Sequence, residues 1–267
     1  YAVGTGTDDL KIMDVSNPAV PVTVGILSLG VGAPTSMVIA GRYVYLVDGD
    51  QNKFKVIDVS NPATPVVVAD SALATGSITS MAIAGSYVYV TDSASATLII
   101  INVSNPATPV TVSTFSVTTP NKLVVTRRYA YIMDAQLTSL LSIIDISNPV
   151  NPILVSTINV GTSDADLAHT LAVSGAYVYI TSDNNDALYV VKVSNPAAPA
   201  IVSTTALGTG LPSRSALFGR YLAIIDQTNN DLDLWDVASS TAPINVGSLA
   251  IGGNPISIFV AGRYAYI

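Results

Sequence analysis

The eleven residues from Lys11 to Pro21 read KIMDVSNPAVP. The same writing returns as KVIDVSNPATP from Lys55, IIINVSNPATP from Ile99, SIIDISNPVNP from Ser142 and YVVKVSNPAAP from Tyr189. A sixth copy, DVASSTAP from Asp236, is degenerate but keeps the first Asp and the closing Pro243 of the pattern. The residues ahead of the turns are Asp14, Asp58, Asn102, Asp145, Lys192 and Asp236, spaced by 44, 44, 43, 47 and 44 residues. One period, from Thr35 to Leu73, parses into four short strands: TSMVIA, YVYLVD, FKVIDV and VVVADSAL, joined by an AGR turn, the loop DGDQNK and the turn SNPATP. Apolar runs of Val, Ile, Thr and Tyr punctuated by Gly, Pro, Asn and Asp are the vocabulary of strands and turns.

A unit of this size cannot bury both faces of its own sheet, and a period of 40 to 50 residues with four strands is the signature of a β-propeller blade. The chain is therefore read as all-β: a six-bladed β-propeller with four antiparallel strands per blade, a single domain over residues 1–267. Tyr1 and Tyr266 both hold the repeat position of Tyr45, six periods apart. This predicts a ring closed within the blade that the two termini share, with Tyr1 within about 10 Å of Ile267, the length of three strand residues. A window cut from a longer array is the alternative.

Composition bounds the rest. Of the 267 residues, 49% are hydrophobic and 11% charged, which is enough apolar material for a core. Apolar runs such as LIII at Leu98 are far shorter than the eighteen or so residues of a membrane helix. The chain opens without Met or a charged-then-apolar leader, which predicts a mature form or a piece of something longer. With no Cys there are no thiolate nucleophiles, disulfides or Cys-based zinc sites. A net charge of -7 argues against nucleic acid, which is held by clustered Lys and Arg. All 18 acidic residues are Asp, again a turn-former's choice.

The segments before the turns, LKIMD at Leu10, FKVID at Phe54, LIIIN at Leu98, LSIID at Leu141, LYVVK at Leu188 and LDLWD at Leu232, resemble the LVIVD repeat of bacterial and archaeal surface proteins. Asn102, Lys192 and Trp235 depart from that motif. The resemblance implies a propeller, usually exported, with no enzymatic activity attached to the motif.

Propeller topology sorts the loops onto two faces. The loops between strands two and three, and between blades, share the face on which such folds usually place function. Twelve Asp residues are expected there: Asp8, Asp9, Asp48, Asp50, Asp92, Asp134, Asp164, Asp166, Asp183, Asp186, Asp226 and Asp231. The opposite face is expected to hold Arg42, Arg127, Arg128, Arg220 and Arg263, so the disc is expected to be polarised. An Asp that recurs in four blades is most simply a turn former accepting backbone N–H groups. The Tyr pairs, such as Tyr43 and Tyr45, are expected to pack between blades, and Trp235 to pack on its own strand. A localised function therefore belongs where the repeat breaks.

The largest break is GTSDADLAHTLAV from Gly161, which carries the only histidine. Aligning first strands puts His169 opposite Thr35, and Lys122 and Arg214 opposite Ser36. With Asp164 and Asp166 beside them, these residues form a candidate site for an anionic ligand at the channel mouth, since Arg binds carboxylates and phosphates bidentately. The structural alternative is an ion pair from Lys122 or Arg214 to Asp164 or Asp166 that pins the long loop.

DGDQN from Asp48, SDNND from Ser182 and DQTNND from Asp226 offer closely spaced oxygens, making Asp48, Asp50, Asp183, Asp186, Asp226 and Asp231 candidate calcium ligands. None continues as an EF-hand loop, because the twelfth position from Asp48 is Val59. One His and no Cys argue against zinc. GxSxG, HExxH and phosphate-loop motifs are absent. The candidate loops lack the aromatic side chains on which sugars stack. The sequon at Asn102 ends a strand and is read as incidental.

These readings predict a non-enzymatic extracellular or cell-surface binding or assembly module, a scaffold for a protein or small anionic ligand with possible self-assembly, no membrane insertion and no required cofactor. The alternatives are a propeller hydrolase or lyase using the channel mouth, and a purely structural unit of a surface array.

Overall fold

The computed structural model describes residues 2–4, 9–30, 34–49, 51–73, 76–134, 139–161, 168–182, 185–208, 210, 212–253 and 255–267. They form strands and turns only. The first sheet holds β1 (Ala2–Gly4), β2 (Asp9–Asp14) and β3 (Val22–Ser28). The second holds β4 (Pro34–Ala40), β5 (Tyr43–Asp48), β6 (Lys53–Asp58) and β7 (Val66–Ala72), and the third holds β8 (Ile78–Ala84), β9 (Tyr87–Asp92), β10 (Thr97–Asn102) and β11 (Val110–Ser116). The fourth holds β12 (Pro120–Val125), β13 (Tyr129–Asp134), β14 (Leu140–Asp145) and β15 (Ile153–Asn159). The fifth holds β16 (Ala168–Ser174), β17 (Tyr177–Ser182), β18 (Ala187–Lys192) and β19 (Ala200–Ala206), and the sixth holds β20 (Pro212–Phe218), β21 (Tyr221–Asp226), β22 (Asp231–Asp236) and β23 (Ile244–Ala250). A hairpin, β24 (Phe259–Ala261) and β25 (Tyr264–Tyr266), stands as a two-stranded sheet. Each sheet is an antiparallel meander.

The expected six complete blades are thus corrected. Among the described residues five sheets have four strands, one has three and one has two. Tyr1, on which the closure expectation turns, lies outside the described residues.

Each sheet is graded from one edge to the other. The middle strands β5 and β6 are buried along almost their whole length, as continuous apolar runs covered on both faces should be. The fourth strand β7 is largely exposed. Every third-to-fourth strand pairing shifts register once, as between Val56 and Ile57. Such a bulge adds twist and bends the outer strand. The AGR turn needs a left-handed residue at Gly41, whose φ is 58°. In the fourth sheet, where Arg127 stands in its place, the Thr126 hydroxyl accepts the Tyr129 N–H instead, at 3.1 Å.

The chain divides into two compact units, residues 1–120 with 148–152, and residues 121–147 with 153–267. In the first unit, Tyr45 packs with Val88 and Val90 of the neighbouring sheet. In the second, Tyr131 packs with Val178 and Ile180, and Tyr179 with Leu222, Ile224 and Trp235. The second Tyr of these three pairs therefore lies between sheets.

The repeated turn has two jobs. Locally, Asn61 Oδ1 accepts the Ala63 N–H at 3.2 Å and the Asn61 carbonyl accepts the Thr64 N–H at 3.1 Å. The same turn also docks on the preceding sheet. The Pro62 carbonyl approaches Gly25 so closely that a Cβ there would lie 1.9 Å from its oxygen. At the same repeat position Ser113 donates to the Pro149 carbonyl at 2.7 Å, and Ser156 to the Pro196 carbonyl at 2.5 Å. This double use explains why the chain writes the same eleven residues again and again.

Candidate functional site

The strand-ending carboxylates Asp48, Asp92, Asp134 and Asp226 are buried. Asp92 accepts the N–H groups of Gly76 at 2.9 Å, Ser77 at 2.8 Å and Ala94 at 3.0 Å, and the Ser95 hydroxyl at 2.8 Å. Burial pushes its carboxyl up, but these donors outweigh burial and hold it below the usual range. Asp226 accepts the N–H groups of Thr228 at 2.7 Å and Asn229 at 3.4 Å and the Asn229 side-chain amide at 2.8 Å, and Asp48 accepts the Gln51 N–H at 3.2 Å. These are loop-fixing carboxylates. Of the other calcium candidates, Asp186 accepts the Gly210 N–H at 3.2 Å and Asp231 pairs in register with Asp226. Asp50 and Asp183 lie outside the described residues. Among the described residues no group of three or more His or Asp side chains is placed to hold a metal ion.

Three of the hairpin-turn arginines are held in ion pairs. Arg42 pairs with Asp58 at 3.0 Å, Arg128 with Asp145 at 3.0 Å and Arg220 with Asp236 at 2.7 Å. Each also lies over the adjoining tyrosine ring, 5.1 to 5.2 Å from its centroid. These pairs neutralise charge locally. Within the repeat they stand or fall together: where the arginine becomes Ser86 or Ala176, the acid becomes Asn102 or Lys192.

The first strands carry the departures from the repeat. β4, β8 and β20 each bulge against the second strand, leaving Thr35, Thr79 and Ser213 as the extra residue. In all three the hydroxyl donates to a second-strand carbonyl at 3.4 Å. β16 has the same bulge, and its extra residue is His169. The same sheet also replaces the strand-ending Asp by Ser182. The histidine thus substitutes for a structural hydroxyl in the one four-stranded sheet that has lost the loop-fixing carboxylate.

The next position holds Ser36, Ser80 and Thr170 in three sheets, but Lys122 on β12 and Arg214 on β20. Lys122 is half-buried and has no hydrogen-bond or ion-pair partner among the described residues. Burial, reinforced by the charge of Arg214, holds its amine down to about 8. Arg214 is exposed, and its Nη1 donates to the Ser213 carbonyl at 2.7 Å. The structure therefore brings Lys122 and Arg214 within electrostatic reach of one another. His169 is described by its backbone position alone, and Asp164 and Asp166 lie outside the described residues. Sequence reasoning grouped the two cations but missed the burial of Lys122.

A family model described as the LVIVD repeat matches residues 1–28, 32–70, 75–119, 121–160 and 167–206, well over half of the chain. The chain belongs to the LVIVD-repeat family. The degenerate sixth copy is outside the match, yet β20 to β23 build the same sheet from it. No curated protein matches the sequence.

Among solved structures, this LVIVD-repeat chain is similar to the periplasmic gluconolactonase of Pseudomonas aeruginosa, at 14% identity and a TM-score of 0.75, covering 89% of this chain and 75% of that one. It is also similar to candidate 6-phosphogluconolactonases from Bacteroides uniformis (14% identity, TM-score 0.80, 93% and 80% covered) and Bacteroides fragilis (12% identity, TM-score 0.78, 91% and 78% covered). The likeness is one of fold. It corrects the expectation of a non-enzymatic binding module, because proteins of this architecture include ones named as lactone hydrolases. Repetition and the absence of local sequence motifs were poor grounds for excluding catalysis in a fold that assembles sites from separate sheets.

Proposed function

We propose that this LVIVD-repeat protein is an exported hydrolase of lactones or related cyclic esters, with its site on the first strands β12, β16 and β20. The observation that carries the reading is Lys122, a half-buried amine beside Arg214 with no carboxylate partner among the described residues. Perturbed amines of this kind are characteristic of working sites. The names of similarly folded proteins supply the reaction class, and one of them is periplasmic.

The proposed chemistry needs three roles. His169, at the bulge, takes a proton from water as the oxygen adds to the lactone carbonyl. Lys122 and Arg214 supply positive charge where the carbonyl oxygen becomes an oxyanion. The ring C–O bond then breaks, and the imidazolium returns the proton to the departing ring oxygen, giving an open hydroxy acid. The product acid ionises at neutral pH, so each turnover releases one proton. Adding glucono-lactone or its 6-phosphate to the purified protein in weak buffer should release protons faster than the uncatalysed opening. Rates equal to the buffer blank for both would overturn the assignment.

A further inference from the structure

We propose that this chain associates head to tail with a second copy of itself, the uncovered face of its sixth sheet docking on the uncovered face of that copy's first sheet. The proposal is independent of the hydrolase reading.

The repeat shows what an occupied sheet interface looks like. Between the second and third sheets Phe54, Val56 and Ala69 pack with Ile101 and Val103, and between the fifth and sixth Leu188 and Val190 pack with Trp235 and Val237. Each sheet thus offers one face to the repeat before it and the other to the repeat after it. In the first sheet Met13 and Val15 hold the positions of Ile101 and Val103, and are 37% and 38% exposed, although every later copy buries both residues. In the sixth sheet Leu232 and Leu234 hold the positions of Phe54 and Val56 and are only half-buried. β23 is exposed along its whole length, with Leu249 at 62%. Uncovered apolar patches of this kind mark interaction surfaces.

The repeat register also says what covers each face. Gly247 holds the position of Gly25, where an added Cβ would lie 1.9 Å from the Pro62 carbonyl oxygen, yet no described atom lies within 4 Å of the same point at Gly247. Only the first and sixth sheets write glycine there; the others write Ala69, Ser113, Ser156 and Ser203. Glycine leaves room for a turn carbonyl, and the Pro18 turn of a second copy supplies one. The strand edges match as well. β1 pairs with Asp9 to Lys11 of β2, so Met13 and Asp14 have no second-strand neighbour among the described residues, and β25 pairs with β24 alone. In β5 the equivalents of Tyr264 and Ala265 are Tyr43 and Val44, which pair with Asp58 and Ile57, the equivalents of Asp14 and Met13. β25 therefore carries the residues that β2 of a second copy lacks, and adding it satisfies main-chain groups on both edges. The hairpin already stands by the sixth sheet, across a groove lined by Phe218, Leu232, Leu234, Leu249, Val260 and Tyr264. The same register brings Arg263 to Asp14 of the second copy, as Arg42 meets Asp58 at 3.0 Å.

A head-to-tail contact uses two different surfaces, so each can be broken by itself. Sedimentation velocity of the full chain should show mass rising above the monomer as concentration is raised through the micromolar range. Met13→Asp spoils the first-sheet face and Leu249→Asp the sixth-sheet face, and each variant alone should sediment as a monomer where wild type associates. Mixed together they should form one-to-one dimers and nothing larger, because each keeps the face that the other has lost. Circular dichroism checks that both variants are folded, and the wild-type measurement stands whether or not they are. A wild-type chain that stays monomeric throughout would overturn the proposal. So would folded variants that still associate with themselves, or a mixture of them that stays monomeric, since either result places the contact elsewhere.

Discussion

Asp92 is buried and fixes its loop through four donors. Removing the carboxylate in Asp92→Ala takes away their shared acceptor, and should cost about 1–3 kcal/mol in unfolding free energy. Its folded pKa is depressed. The contribution is therefore fully present above the unfolded value of about 4, and is lost as pH falls through the lower folded value. Chemical denaturation from pH 7 downward should show wild type and Asp92→Ala converging below about pH 4, and a gap independent of pH would refute the assignment.

Lys122 has the opposite sense, because its charge disappears as pH rises through about 8. If that charge serves the oxyanion, kcat/KM should fall on the alkaline side. Lys122→Arg, which stays charged, should keep activity and lose the alkaline fall. A fall at the same pH in the variant would assign the limb to another group. The hydroxyl-for-cation exchange at Lys122 and Arg214 was legible in the sequence by aligning first strands. The burial of Lys122 was not, because it depends on what the neighbouring sheet brings against it.

The four-stranded sheet is the element, and it was almost wholly legible. YVYLVD and FKVID are too apolar and too short for anything but strands covered on both faces, and they became β5 and β6. The bulges were not legible, since one extra residue leaves the period of a seven-residue strand unchanged to the eye. They are what turns the Thr35 and His169 alignment into a defined position. The pairing of Arg42 with Asp58 was legible and missed: the register sets Tyr43 opposite Asp58, and the two charges are lost together in the third and fifth sheets. Docking of one sheet on the next repeat's turn makes a sharp prediction at Gly25. Alanine there would put a Cβ 1.9 Å from the Pro62 carbonyl oxygen, so Gly25→Ala should destabilise by about 1–3 kcal/mol. A melting temperature unchanged from wild type would show that the turn is not seated as described.

At the scale of the whole molecule the claim to test is catalysis, where repeat proteins offer an internal control that other folds lack. The residues to substitute at the three exceptional positions are already present in neighbouring sheets: Thr35 for His169, and Ser36 or Ser80 for Lys122 and Arg214. The most direct test is therefore one triple variant, His169→Thr with Lys122→Ser and Arg214→Ser, measured for lactone hydrolysis and for unfolding free energy on the same preparation. The account predicts that hydrolysis falls to the buffer rate while the unfolding free energy stays within about 1 kcal/mol of wild type. Hydrolysis retained in the triple variant, or lost only together with the fold, would contradict it.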